Sequence, residues 1–315
     1  MRRFWWFCVV AVLFPYVFTL VANGGIYGVN GIGKGMGAKR DGIGEWDSGR
    51  RVYLEGRGFV DGEEYLVGAV AWQMPADYEM EALKAQAIIA RTFLYRHMGD
   101  EREIAESNLD LKGMGEEQME RMWGSPRFLE YYEKVRGAVE ETRGQVMVWE
   151  GQCVEPLFHR ASAGKTRDGD EGHPYLGSVD SGEDVEMDGY LTVTVWPCGE
   201  FAKLIKGMPE GEQVREEQIP DTIQVIERDG AGYVTQIQIG SHSFDGEAVR
   251  QALELPSAAF TLEGYEDGVR AVCRGRGHGY GLSQFGAHKK AAAGMTAEEI
   301  LGSYYKNIEI ISWEQ

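Results

Sequence analysis

Two stretches hold side chains whose types and spacing suit chemistry on a polar substrate. In "VGAVAWQMPADYEMEALKAQAIIARTF", Val67 to Phe93, the neutral amide of Gln73 stands at the break made by Met74-Pro75, with Asp77, Glu79 and Glu81 beyond it. A carboxylic acid at such a break can move protons, whereas an amide only donates and accepts hydrogen bonds. The second stretch is "CRGRGHGYGLSQFGAHKKAAAG", Cys273 to Gly294. Gly275, Gly277, Gly279 and Gly281 alternate, which allows close approach of backbone to a ligand or angles closed to other residues. Arg276 and His278 project from this loop, which runs into a helix beginning near Ser283. Free amides and the positive end of the helix dipole there suit an anion or a polar oxygen. The dinucleotide fingerprint fails, because Tyr280 occupies the place of its third glycine.

"ASAGKT", Ala161 to Thr166, ends like a phosphate-binding loop, but His159 stands where that loop needs its first glycine. The segment reads as a strand ending in a small-residue turn. Ser162, Lys165 and Thr166 there either hydrogen-bond a polar ligand or belong to an ordinary polar turn. Cys153, His159 and His173 match no standard zinc spacing, so neither metal nor cofactor is expected.

Helices and strands must position these groups. Val52 to Val60 alternates as a strand or hairpin, and Gly62 to Met74 reads as a helix ended by Pro75, which disfavours helical angles in the residue before it. Asp77 is expected to cap a new helix with a buried stripe of Met80, Leu83, Ala87, Ala90 and Leu94. Alanines at 82, 85, 87 and 90 let a neighbour approach it closely. Helices are expected at 115–123 and 128–142, and strands at 145–149, 153–159, 191–196, 258–262 and 269–273. The runs 222–227 and 233–239 form a hairpin turning at "RDGAG". The chain closes with helices at about 283–293 and 297–305, the last opened by a capping box of Thr296 and Glu299. Helices early, strands in the middle and helices at the end imply an α+β fold.

With 315 residues, 43% of them hydrophobic, the chain can bury a substantial core. After Arg2-Arg3, nineteen uncharged residues from Phe4 to Ala22 match the length that crosses roughly 30 Å of hydrocarbon. The arginines favour a cytoplasmic N-terminus. Pro15 and the weak cleavage site in "LVANGG" favour an uncleaved anchor over a signal peptide. The expected organisation is 1–3 cytoplasmic, 4–22 transmembrane, 23–45 a glycine-rich linker and 46–315 an extracytoplasmic domain. A net charge of −18 argues against nucleic acid as a partner. Beyond Cys8 in the anchor, Cys153, Cys198 and Cys273 allow at most one internal disulfide.

The segments "EEYLVGAVAWQMPADYEMEALKAQAIIARTF", "EETRGQVMVWEGQCVEPLFHRASAGKT" with "HPYLGSVDSGED", and "RGRGHGYGLSQFGAHKKAAAGMTAEEILGSYYKNIEI" occur in the order of the stage II sporulation protein D (SpoIID/LytB) family. The chain resembles that family from about Val52 to Ile310. The resemblance implies helices framing a mixed, mostly antiparallel sheet. It also implies a lytic transglycosylase of peptidoglycan that works in engulfment beside an amidase (stage II sporulation protein P) and a membrane protein (stage II sporulation protein M). Such enzymes cut glycan strands stripped of stem peptides and leave 1,6-anhydro ends. One glutamate serves as acid and then as base when its pKa lies near neutrality. The family's glutamate immediately precedes Met-Pro, where this chain has Gln73.

The resemblance therefore implies a groove that binds denuded glycan, lined by Gln73, Arg91, Arg276 and His278, with cleavage impaired or absent. Lys84, Ser162, Lys165, Thr166, Ser283 and Gln284 complete the expected binding set. Lys84 and Arg91, seven residues apart, either hold the pocket, meet the muramic carboxylate or are surface charges. Substitute acids to weigh are Asp77, Glu79, Glu81, Glu64 and, if the glycine loop closes over Gln73, His278. Two alternatives stay open: an active transglycosylase using such a substitute, and a wall-binding module outside sporulation. The implied location is the cell membrane, with the domain in the septal or intermembrane space of a sporulating cell.

Overall fold

The alternation in "RVYLEGRGFV" builds β1 (Arg51–Leu54) and β2 (Gly58–Asp61), an antiparallel hairpin with Val52 and Val60 turned inward. The computed structural model describes residues 46–313, so the expected anchor and linker lie outside the described residues. Among the described residues no helix is long and apolar enough to cross a membrane. Asp61 caps α1 (Gly62–Gln73) by accepting from the Glu63 N–H. Met74 leaves the helix in an extended conformation, as the residue before a proline must. The next helix, α2 (Met80–Met98), starts later than expected. Asp77 does not cap it: Pro75 to Tyr78 form a turn of their own, and Glu79 holds the cap position without a side-chain hydrogen bond.

Helix α2 is buried around its whole circumference between Ala82 and Tyr95 except at Lys84 and Phe93, well beyond the expected stripe. Its alanines admit α1 on one side. Around the others lie α4 (Ser125–Glu141), β4 (Gln145–Trp149) and the two closing helices. Between α2 and α4 come β3 (Glu103–Ala105), parallel to β1, and α3 (Glu116–Trp123). The single strand expected at 153–159 is two short pieces divided by Pro156, which has no N–H for a ladder. One is β5 (Gln152–Cys153), paired with β4; the other is β6 (Phe158–His159).

A second core follows: β7 (Leu191–Pro197), α5 (Cys198–Lys206), β8 (Gln224–Arg228), β9 (Val234–Ile239), β10 (His242–Asp245), α6 (Gly246–Ala252), β11 (Phe260–Tyr265) and β12 (Gly268–Arg274). The chain then returns to the first core through β13 (Leu282–Ser283), parallel to β6, and through α7 (Gln284–Ala292), α8 (Ala297–Tyr304) and β14 (Glu309–Ser312). Thr296 and Glu299 form the expected capping box. The fold is α+β, with eight α-helices among the described residues. Its strands make several small sheets, mostly antiparallel, and not one framed sheet. Cys153, Cys198 and Cys273 are free thiols.

One ion pair locks the first core. Arg91, fully buried, donates from Nε to Glu63 Oε1 at 2.7 Å and from Nη2 to Glu63 Oε2 at 2.6 Å. Its remaining hydrogens reach Val139 O, Thr142 Oγ1 and Gln145 O. It thus ties α1, α2, the end of α4 and the start of β4 together. Removing one partner leaves a buried charge alone, at a cost of about 3–5 kcal/mol. Glu63→Ala should therefore lower the thermal midpoint by roughly 10 °C, given about 2–4 °C per kcal/mol in a domain of this size. A scanning-calorimetry shift below about 2 °C would show that the pair does not hold the core.

Candidate functional site

Gln73 is the last residue of α1, half-buried where α1, α2 and α7 converge. Three side-chain amides line up there. Gln284 Nε2 donates to the Gln73 main-chain oxygen at 2.9 Å and to Gln86 Oε1 at 3.2 Å. Gln86 Nε2 donates to Gln73 Oε1 at 2.7 Å. The donor direction runs from Gln284 through Gln86 to Gln73, and both supporting glutamines are buried. Position 73 is thus built to hold an acceptor oxygen against Gln86, and the Nε2 hydrogens of Gln73 are the donors this chain of amides does not use.

Aromatic groups cluster on the segments that follow Gln73 and Gln284. The Tyr78 ring stacks on His288 at 4.5 Å and meets Phe285 edge-on at 6.2 Å. His288 Nδ1 accepts from the Glu79 N–H, which fixes its proton on Nε2 when the ring is neutral. Burial lowers the His288 pKa, opposed by the carboxylates of Glu79 and Asp77. Burial raises the Tyr78 phenol, opposed by the nearby charge of Arg160. Sequence reasoning missed Gln86, Tyr78, Arg160 and His288. Gln86, Tyr78 and His288 lie within the two informative stretches, which is the signal that could have found them; Arg160 lies in neither.

Several expected binding residues are structural. Arg91 does not line a groove, because Glu63 occupies its guanidinium. Lys84 is clamped between Glu81 at 2.7 Å and Glu141 at 2.6 Å; its hydrogen bonds to Glu141 and then Glu81 raise its pKa. Thr166 is buried, its hydroxyl donating to Gly177 O. Lys165 is half-buried and bridges Asp180 through the backbone. Ser162 and Ser283 are buried and bind one carboxylate, Asp184. Its Oδ2 accepts from Ser162 N and Oγ at 2.6 Å each, and both oxygens accept from Ser283 Oγ at 2.8 and 2.9 Å. Burial raises the Asp184 pKa against the pull of these bonds.

The glycine loop takes the second of its two expected uses, angles closed to other residues. Gly275, Gly277, Gly279 and Gly281 all have positive φ. A Cβ on them would lie 2.7 Å from Ser162 O, 2.7 Å from His159 Cβ, 2.4 Å from the Tyr233 ring and 1.9 Å from Leu157 O. Their close approach is to the protein's own 157–162 segment and to Tyr233, not to a ligand. The amides at the start of α7 are engaged too: Phe285 N–H donates to Arg160 O, and Gly286 N–H to Ser283 Oγ.

Arg276 is exposed, and its main chain pairs with Ala161. His278 packs against His159 and Tyr280 with its Nδ1 accepting from Tyr280 N–H; no hydrogen bond or ring contact joins it to Gln73 among the described residues. Burial lowers its pKa, with Glu247 opposing. Of the proposed acids, Asp77 and Glu79 are exposed beside His288, Glu81 is held by Lys84 and the Ala297 N–H, and Glu64 pairs with Arg57. Cys153, His159 and His173 are engaged separately: the Cys153 carbonyl by Arg96, His159 by Tyr280 O, and His173 by Asp170 and Glu155.

The family model for stage II sporulation protein matches residues 58–149. Stage II sporulation protein D of Bacillus amyloliquefaciens is 31% identical over 261 residues, covering 79% of this chain and 73% of that protein. The chain belongs to the stage II sporulation protein D family. The protein of the same name from Bacillus subtilis (strain 168) is 30% identical, covering 79% of this chain and 74% of its own length. An uncharacterized protein of Brachyspira hyodysenteriae is 25% identical, with 80% and 67% covered. The match to the family model includes Gln73, Tyr78 and Gln86, whereas Arg160, Gln284 and His288 come from beyond it.

His159 gives the site's scaffold a pH dependence. It is buried, its Nδ1 proton goes to Tyr280 O, and its Nε2 lone pair has no partner. Burial, with the neighbouring His278, pushes its pKa down to about 3. The unfolded chain therefore takes a proton near pH 6.5 that the folded chain refuses, so stability is lost as pH falls through that value. Between pH 7 and pH 5 this one group should cost about 2 kcal/mol. Urea titrations should show His159→Gln losing that amount less than the parent over the same interval. Equal losses would rule out His159 as the source.

Proposed function

We propose that this protein is a membrane-anchored sporulation protein that binds denuded peptidoglycan glycan strands beside Gln73 during engulfment or related wall remodelling. In this proposal it lacks the proton-transfer group that cutting requires. The observation that carries it is the side chain at position 73: an amide held by the buried pair Gln86 and Gln284, with the ring cluster of Tyr78, Phe285 and His288 on the segments that follow Gln73 and Gln284. Rings stacked at a half-buried polar position suit the apolar faces of sugars, and the Gln73 amide hydrogens suit a sugar oxygen. Gln73 cannot protonate a leaving alkoxide, and general acid–base help is worth about 10²–10⁴-fold. Glycan strands and stage II sporulation proteins P and M are the proposed partners. The proposed location is the membrane facing the wall, through residues 4–22.

Gln73→Glu puts a carboxylic acid on the same Gln86 donor. Incubated with amidase-treated glycan strands, this variant should release anhydro-muramic ends at about 10²–10⁴ times the parent rate by mass spectrometry. A parent protein that releases such ends at the variant's rate overturns the proposal in favour of a transglycosylase using another acid.

A further inference from the structure

Strand β7 closes the sheet β11–β12–β7 and pairs only with β12 among the described strands. The Tyr190 carbonyl accepts from the Gly275 N–H across this ladder. Antiparallel strands alternate residues that face the partner with residues that face away. The main-chain groups of Thr192, Thr194 and Trp196 therefore point to β12, and those of Leu191, Val193 and Val195 point out from the edge. The side chains of these same three residues are 57%, 55% and 49% exposed and lie on one face of the sheet.

Folded proteins protect an open edge with charged side chains, proline, bulges or cover. The other edges of three or more residues among the described strands carry a charge: Asp61, Glu103, Glu227, Asp245, Glu263 and Glu309. β7 carries no charge, and its proline, Pro197, stands at its last residue, past Leu191 to Val195. Its sequence from Leu191 to Val195, "LTVTV", reads almost identically in both directions.

We infer that β7 is a homodimer edge, pairing antiparallel with β7 of a second copy about a two-fold axis at Val193. That register sets Val193 opposite Val193, Leu191 opposite Val195 and Thr192 opposite Thr194. Each outward N–H and C=O of the aliphatic residues gains a partner, and the two aliphatic rows lie side by side. An isologous contact of this kind requires a self-complementary strand, which this one is. The groups cross-strand from the ends of the row are Arg274 beside Leu191 and Arg270 beside Val195, the latter paired with Glu263. Pairing along five residues is a small contact beside the ~1,600 Å² of a standard interface, so the proposed dimer exchanges with monomer and depends on concentration. The inference rests on β7 alone and stands whether or not the proposal for Gln73 holds.

Cysteine cross-linking of the full chain in detergent tests the register, with Cys8 and Cys198 replaced by serine. Hydrogen-bonded antiparallel pairs have Cα atoms about 5.5 Å apart, within disulfide range. Under mild oxidation Val193→Cys alone should form a covalent dimer at least about 10-fold faster than Leu191→Cys or Val195→Cys alone. A mixture of Leu191→Cys with Val195→Cys should cross-link as Val193→Cys does. In sedimentation velocity, Val193→Lys on the otherwise natural chain should abolish the dimer seen for the parent at high concentration. Equal cross-linking of every single variant, a parent that stays monomeric, or β7 captured only by a different protein would overturn the inference.

Discussion

A single buried carboxylate sets the arrangement on which the site depends. Asp184 draws together Ser162 at the end of "FHRAS", its own turn in "SGED", and Ser283 at the start of α7. Because Ser283 is also the N-cap of α7, holding its hydroxyl fixes where the helix begins and so where Gln284 points. Burying a charge this deeply is tolerated only because donors surround it on both oxygens. The glycine loop closes over the same segment at distances that leave no room for a Cβ. The last quarter of the chain is thereby registered against its middle.

The Arg91–Glu63 pair does the equivalent task for α1 and α2, and the two constraints meet at Gln73. α1 brings Gln73, α2 brings Gln86 and α7 brings Gln284, so the three amides connect segments far apart in sequence. An acceptor at position 73 is specified by this geometry, while the proton chemistry of that acceptor is not. Glutamate and glutamine fit the same donor with the same shape. Under the proposed function, one residue would decide between cutting and gripping without disturbing the fold.

Much of this was legible locally. Pro75 ends α1, Thr296 and Glu299 open the last helix, and the "RDGAG" turn joins β8 and β9, because each signal acts within a few residues. What was not legible is whether a polar side chain is buried, since that depends on partners distant in sequence. Arg91 and Lys84 do share a helix face, but Arg91 pairs with Glu63, and Lys84 pairs with Glu141 as well as with its neighbour Glu81. Gln86 sits among alanines, and its role comes from Gln73 and Gln284, which bracket it in space. Asp184 stands in a polar turn that looks like any other. The glycines signalled tight approach correctly, but the sequence did not say that the approach was to His159 and Leu157 and not to a ligand.

The proposed role of the Gln73 amide, to contact glycan and leave it whole, can be read from the amide itself. The measurement is the side-chain ¹⁵N–¹H resonance of Gln73, assigned by its absence in Gln73→Glu, during titration with denuded glycan strands of defined length. A saturable shift of that resonance is expected while strand length in the same tube stays constant. An unmoved resonance at saturating glycan, or strands that shorten as it moves, would contradict it.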